Sequence, residues 1–146
     1  MILLYSICNA TWRSQSPAVR GTVNITFDAW QAGNSDGYFA VTGHWIQEDK
    51  PREWELKSAL LGFTLVNNSH HGVRLGQVLF KITERVNISH KVCPSHLYFR
   101  IIMCNIQTGH ATCDNASNNR TTMQEFSRCY KAKYKTDFPW EERKIG

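Results

Sequence analysis

Residues 22–30 read TVNITFDAW, and this stretch decides the fold class. It is rich in β-branched and aromatic residues, the composition of a strand. A period of two sends Ile25, Phe27 and Ala29 to one face and Thr26, Asp28 and Trp30 to the other. Asp28 is therefore a carboxylate set in an apolar strand. Such a placement costs free energy unless the acid is paired or holds a cation.

The pattern repeats outward from there. The turn QAGNSDG, residues 31–37, is dense in Gly, Asn and Asp, and YFAVTGHWI, residues 38–46, reads as a second strand. After the charged turn QEDKPRE, residues 47–53, comes WELKSALLGF, residues 54–63. In its first half Trp54, Leu56 and Ser58 alternate with Glu55 and Lys57, which suits an edge strand with one wet face. Three such runs on short loops predict an antiparallel meander. Over residues 73–88 the period changes, with Leu75, Val78, Leu79, Ile82 and Val86 in steps of three and four, so an amphipathic helix is expected. Residues 109–114 are expected to form a fourth strand ending at Asp114. A last helix follows, with Thr122 and Glu125 spaced as a capping box and Met123, Phe126, Tyr130 and Tyr134 as its buried stripe. Pro139 ends it at the latest.

The expected order is β-β-β-α-β-α: an α/β chain with a mixed sheet and helices packed on it. A right-handed crossover places strand four parallel to strand one or near it. This arrangement is similar to an RNase H-like fold, incomplete at its C-terminus. Residues 1–21 carry little pattern, and residues 22–146 form the expected domain. The opening MILLYSICNA lacks a basic n-region, and its apolar run is too short for a secretory leader; it reads as a truncated or mis-started end.

The chain has 146 residues, enough for one domain with a core that needs no disulfide or metal staple. Hydrophobic residues make up 42% and charged residues 20%, which excludes general disorder. The net charge of +5 tolerates an anionic partner. No apolar run approaches the ~18–20 residues that cross a bilayer, so no membrane partner is expected. Five cysteines and sequons at Asn9, Asn24, Asn67, Asn87, Asn115 and Asn119 suggest a secreted glycoprotein. Against that, Asn24 falls in what reads as a buried strand and no leader precedes it.

The candidate chemistry rests on two acids, Asp28 and Asp114. Carboxylates on adjacent strands ~4.8 Å apart can share a metal site, as in two-metal phosphoryl transfer. The bland alternative is a strand end for Asp28 and a helix cap for Asp114. A second set, Cys93-x-x-His96 and His110-x-x-Cys113, has zinc-like spacing. Zinc is not expected there, because Cys113 adjoins Asp114 in a strand that should be buried. Arg128, Lys131, Lys133, Lys135, Arg143 and Lys144 could meet phosphates, or serve as the solvated face of the last helix.

NITFDAWQ with YFAVTGHWI, then WELKSALLGF, NNSHHGVRLGQVLFKI, and ATCDNASNN with TTMQEF together resemble the hAT superfamily transposases, DDE-type enzymes of transposable elements. The resemblance covers roughly residues 22–146. It implies that Asp28 is the first acid of the catalytic triad and Asp114 the second. It also places His70 at a family position, an HxG-like signature that fixes the loop and helix start. The implied cofactor is Mg²⁺ or Mn²⁺, the implied partner DNA and the implied location the nucleus. The third acid of such enzymes is a Glu far downstream, which this chain ends before reaching; Glu141 and Glu142 read as solvated charges. The expectation is therefore a transposase fragment, inactive alone, with a weak, incomplete metal site. The alternative is a domesticated, non-catalytic DNA- or protein-binding module. Oligomers are expected only of the intact family protein. One segment, CPSHLYFRIIMCNIQT at residues 93–108, interrupts the family pattern and is expected to leave the sheet as an insertion, through a retained intron or a real loop.

Overall fold

The alternation in residues 22–30 becomes β1 (Gly21–Gln31), the central strand of a five-stranded mixed sheet. The computed structural model describes residues 21–33, 37–66, 71–88, 106–114 and 117–145. Within them, β1 is followed by β2 (Gly37–Lys50), β3 (Glu53–Leu65), helix α1 (Gly72–Arg85), β4 (Ile106–Thr112), helix α2 (Ser117–Tyr134), the single-turn α3 (Trp140–Arg143) and β5 (Lys144–Ile145). The strand order across the sheet is β3-β2-β1-β4-β5. The β1–β2 and β2–β3 pairs are antiparallel, and the β1–β4 and β4–β5 pairs are parallel.

One face of the sheet is closed by α1 and α2. Val23, Ile25 and Phe27 of β1, Phe39, Val41 and Trp45 of β2, and Ala111 of β4 are all buried with Leu75, Leu79 and Ile82 of α1 and Met123, Phe126 and Tyr130 of α2. The periodicities read in the sequence thus select the residues that lose contact with water. Two glycines bring the helices together. A Cβ on Gly72 would lie 2.5 Å from the Asn118 carbonyl oxygen, and one on Gly76 would lie 2.5 Å from that of Thr122. Helix α1 ends in a Schellman motif: Asn87 takes φ 60°, its N–H bonds to the Glu84 carbonyl, and the Ile88 N–H bonds to that of Thr83.

Several boundaries differ from expectation. Helix α2 begins at Ser117, five residues before Thr122, so the capping box does not form. Thr122 Oγ1 instead donates to the Asn118 carbonyl at 2.9 Å, inside the helix. Strand β4 begins at Ile106, so Ile106, Gln107 and Thr108 belong to the sheet rather than to the expected excursion; residues 93–105 lie outside the described residues. Asn24 is exposed, not buried. Its side-chain oxygen accepts the His110 N–H at 2.9 Å where the β1–β4 register slips, patching a bulge in the ladder. Strand β3 is the sheet edge, as read, but Trp54 and Leu56 are 66% and 72% exposed. Among the described residues, β2 beyond His44 pairs with β3 alone and no layer lies over the face of Trp54 and Leu56, which stand on a two-stranded ribbon.

Candidate functional site

The sheet face opposite the helices carries the acids. On β1, Val23, Ile25 and Phe27 point to the core, so Asp28 points away from it and is exposed. Its Oδ1 accepts the Ala29 N–H at 2.8 Å, which fixes one oxygen against its own backbone. The parallel β1–β4 ladder closes with Thr26 opposite Thr112. Asp28 and Asp114 each stand two residues beyond that pair. Alternation on β4 continues past the ladder: Ala111 buried, Thr112 exposed, Cys113 buried, Asp114 exposed. The Cys113 N–H still bonds to the Ile145 carbonyl, at 3.1 Å, holding the chain in strand-like form. Both carboxylates therefore leave the same face of the sheet just past the last β1–β4 ladder pair, on neighbouring strands that run ~4.8 Å apart.

Asp114 is held from behind by a residue the sequence reading missed. Asn119, buried in the first turns of α2, donates its side-chain N–H to the Asp114 carbonyl at 2.9 Å and also to Asp114 Oδ1. One amide thus sets both the backbone and the carboxylate at the strand end. The available signal was an Asn five residues after an acid, and only the helix start at Ser117 gives that spacing a meaning. Aromatic residues flank the acids. Trp30, two residues beyond Asp28 on the same face, is 41% exposed and stacks on Tyr38 at 5.9 Å between centroids. Tyr38 stacks in turn on Phe63 at 5.6 Å. Deeper along the face, Thr26 Oγ1 and His44 Nε2 lie 3.1 Å apart.

Among the described residues, no group of three or more His, Cys, Asp or Glu side chains gathers into a metal-binding cluster. Asp28 and Asp114 lie on one face of two neighbouring strands. His70, Cys93 and His96 lie outside the described residues. Of the zinc-like set, His110 and Cys113 remain, and they leave opposite faces of β4, one exposed and one buried. Burial pushes the Cys113 thiol up, which keeps it protonated and a poor metal ligand.

The basic residues of α2 are largely engaged within the chain. Arg128 binds Glu125 through two nitrogens at 2.7 Å, Lys131 pairs with Asp137 at 2.8 Å, and Lys133 pairs with Glu84. Lys135 Nζ donates to the Ala132 carbonyl at 2.9 Å, and Arg143 lies over the Phe138 ring at 5.3 Å. Glu125 is buried between the helices. The Arg128 guanidinium, aided by a 3.0 Å bond from Gln77 of α1, holds its carboxyl down at about 2 against the opposing pull of burial. This cluster joins α1 to α2 and is structural.

Residues 26–97 match the family model described as ZBED1 RNase-like domain. The matched span takes in Asp28 and stops short of β4 and Asp114. The chain is 29% identical over 105 residues to a Talaromyces stipitatus protein named "Putative transcriptional regulator tpeD", an alignment covering 72% of this chain and 10% of that protein. It is 34% identical over 74 residues to the maize proteins named "Putative AC transposase" and "Putative AC9 transposase", covering 51% of this chain and 9% and 8% of theirs. The aligned stretches therefore span about a tenth of the length of these relatives. No solved structure matches.

Proposed function

The chain is hAT transposase-like, and from that premise we propose that residues 22–145 are part of an RNase H-like core in which Asp28 and Asp114 are two ligands of a divalent-cation site acting on DNA. One observation carries this reading: the two exposed carboxylates lie on one face, each two residues past the last β1–β4 ladder pair. The donor set fits a hard cation, being carboxylate oxygen without sulfur or imidazole. A bound Mg²⁺ or Mn²⁺ would supply Lewis acidity toward a DNA phosphate and lower the pKa of an attacking hydroxyl. Asp28 and Asp114 would each offer an oxygen from a fixed position. Asn119 would hold Asp114 in place, and the Ala29 N–H would orient Asp28.

With these two acids as the proposed ligands, the 146-residue chain is expected to bind the cation weakly and not to cleave DNA by itself. A missing ligand in a preorganised site costs several kcal/mol of transition-state stabilisation, or more than ~100-fold in rate. The test is Mn²⁺ binding to the chain, followed by calorimetry or electron paramagnetic resonance. Asp28→Asn and Asp114→Asn should each weaken it at least about tenfold with the fold intact. Equal affinity in both variants would reject the shared site. Cleavage of terminal-repeat DNA that depends on either acid would reject the inactivity.

A second reading is a non-catalytic, DNA- or protein-binding module in the nucleus. The transcriptional-regulator name of the Talaromyces relative, whose alignment covers more of this chain than the maize matches do, favours it. Under that reading the Asn variants leave Mn²⁺ binding unchanged.

A further inference from the structure

We propose that this chain pairs with a second copy of itself along the β3 edge, through residues Glu53–Ala59, about a two-fold axis at Leu56. The inference is independent of the cation site. Among the described residues strand β3 closes one side of the sheet, and such an edge offers unpaired backbone N–H and C=O groups unless it is blunted. Its two halves are treated differently. From Leu60 onward the strand is interrupted: the register slips between Val41 and Thr42, which leaves Leu61 as an extra residue, and Arg85 Nη2 of α1 donates to the Leu61 carbonyl at 2.9 Å. From Glu53 to Leu60 the pairing with β2 runs residue by residue, with its only other irregularity back at Glu48–Lys50 next to the turn.

The side chains of that regular half suit a copy of themselves. On the face away from the helices, Trp54, Leu56 and the adjoining Ile46 of β2 are 66%, 72% and 57% exposed. On the other face stand Glu55 and Lys57. In an antiparallel pair with the axis normal to the sheet, residues i and j oppose each other when they are equally far from the axis. An axis at Leu56 sets Glu55 of each copy opposite Lys57 of the other, twice over. It also sets Leu56 against Leu56 with Trp54 on the diagonal, so the two apolar strips merge. An axis at Glu55 or Lys57 would instead set like charges face to face. Within one chain Lys57 pairs with Glu55 and with Asp49 of β2, so it exchanges these acids for Glu55 of the second copy. The surface covered is below the ~1,200 Å² of a standard interface, so a weak dimer is expected, with a dissociation constant on the order of 10–100 μM.

The test is sedimentation velocity on the full chain from about 5 to 500 μM, with circular dichroism to verify folding. Glu55→Lys and Lys57→Glu should each weaken association about tenfold. The double variant E55K/K57E should restore it, and so should an equimolar mixture of the two single variants, as a heterodimer. A chain that stays monomeric throughout that range overturns the proposal. Dimers that ignore the charge reversals, or singles that fail to recover on mixing, place the contact elsewhere or with another occupant, and overturn it equally.

Discussion

Replacing Gly76 by Ala tests whether α1 and α2 meet as closely as the structure shows. In isolation the change favours the helix by about 1 kcal/mol, because alanine loses less backbone freedom than glycine. In this fold the new methyl would lie 2.5 Å from the Thr122 carbonyl oxygen and 2.7 Å from Glu125 Cβ. Comfortable carbon–oxygen approach begins near ~3.3 Å, so the helices must part by roughly 0.8 Å. Neither obstacle is the free end of a side chain; one is helix backbone, the other the root of a buried residue. Overpacking of this kind costs about 1–3 kcal/mol. The separation also stretches the 3.0 Å bond from Gln77 to Glu125, a bond to a charged group worth about 1.5–3 kcal/mol. Set against the propensity gain, the net destabilisation is about 2–3 kcal/mol, read by urea unfolding, or roughly 6–12 °C in Tm. Gly33→Ala is the control, because nothing lies within 4 Å of its added Cβ; it should stay within about 0.5 kcal/mol. A Gly76→Ala protein as stable as the parent, or more so, would refute the close helix contact.

Two further outcomes follow from the same structure. The Glu125 carboxyl lies below its ordinary value of 4.5, at about 2, so its stabilisation is complete above the ordinary value and is lost as pH falls toward the lower one. Glu125→Gln should cost about 2 kcal/mol at neutral pH and converge with the parent near pH 2 in pH-resolved urea unfolding; a pH-independent gap would reject the assignment. Asn119→Ala should lower stability by about 1–2 kcal/mol and weaken Mn²⁺ binding although neither acid is replaced. Unchanged Mn²⁺ affinity would mean that Asn119 anchors the helix but does not position Asp114.

The sheet was legible in the sequence wherever burial on one face imposed a period. Ile25 and Phe27 against Thr26 and Asp28 gave β1 with its inner and outer faces, and Leu75, Leu79 and Ile82 gave the inner side of α1. Where tertiary contact decided the matter, local pattern misled. Thr122 and Glu125 have capping-box spacing, yet the helix continues back to Ser117, and both residues turn to other partners. Trp54 and Leu56 alternate like a half-buried strand, yet β1 does not extend beside them and among the described residues no helix is set over them. Asn24 reads as a strand interior residue, and it serves as a side-chain substitute for a missing ladder bond. For Glu125 and Asn24 the role depends on a partner far away in the chain, Gln77 and His110, which periodicity does not report.

The candidate site divides unevenly between its two acids, and the reason is topological. Side chains at matching positions on parallel neighbours leave the sheet on the same side, so β4 beside β1 puts residues 28 and 114 on one face past the end of their shared ladder. Asp28 sits inside a strand paired on its antiparallel side through Gln31, with Phe27 and Ala29 packed below it. Its backbone therefore moves only if the core moves. Asp114 lies two residues past the last ladder pair. It is kept in line by the Cys113 N–H on the Ile145 carbonyl and by the Asn119 amide. Those two bonds come from β5 and from the start of α2, one on each side of the strand end. A disturbance of either should displace Asp114 and leave Asp28 where it is. On the proposed cation-site reading, affinity for the ion would therefore depend on how well β5 and α2 hold the end of β4.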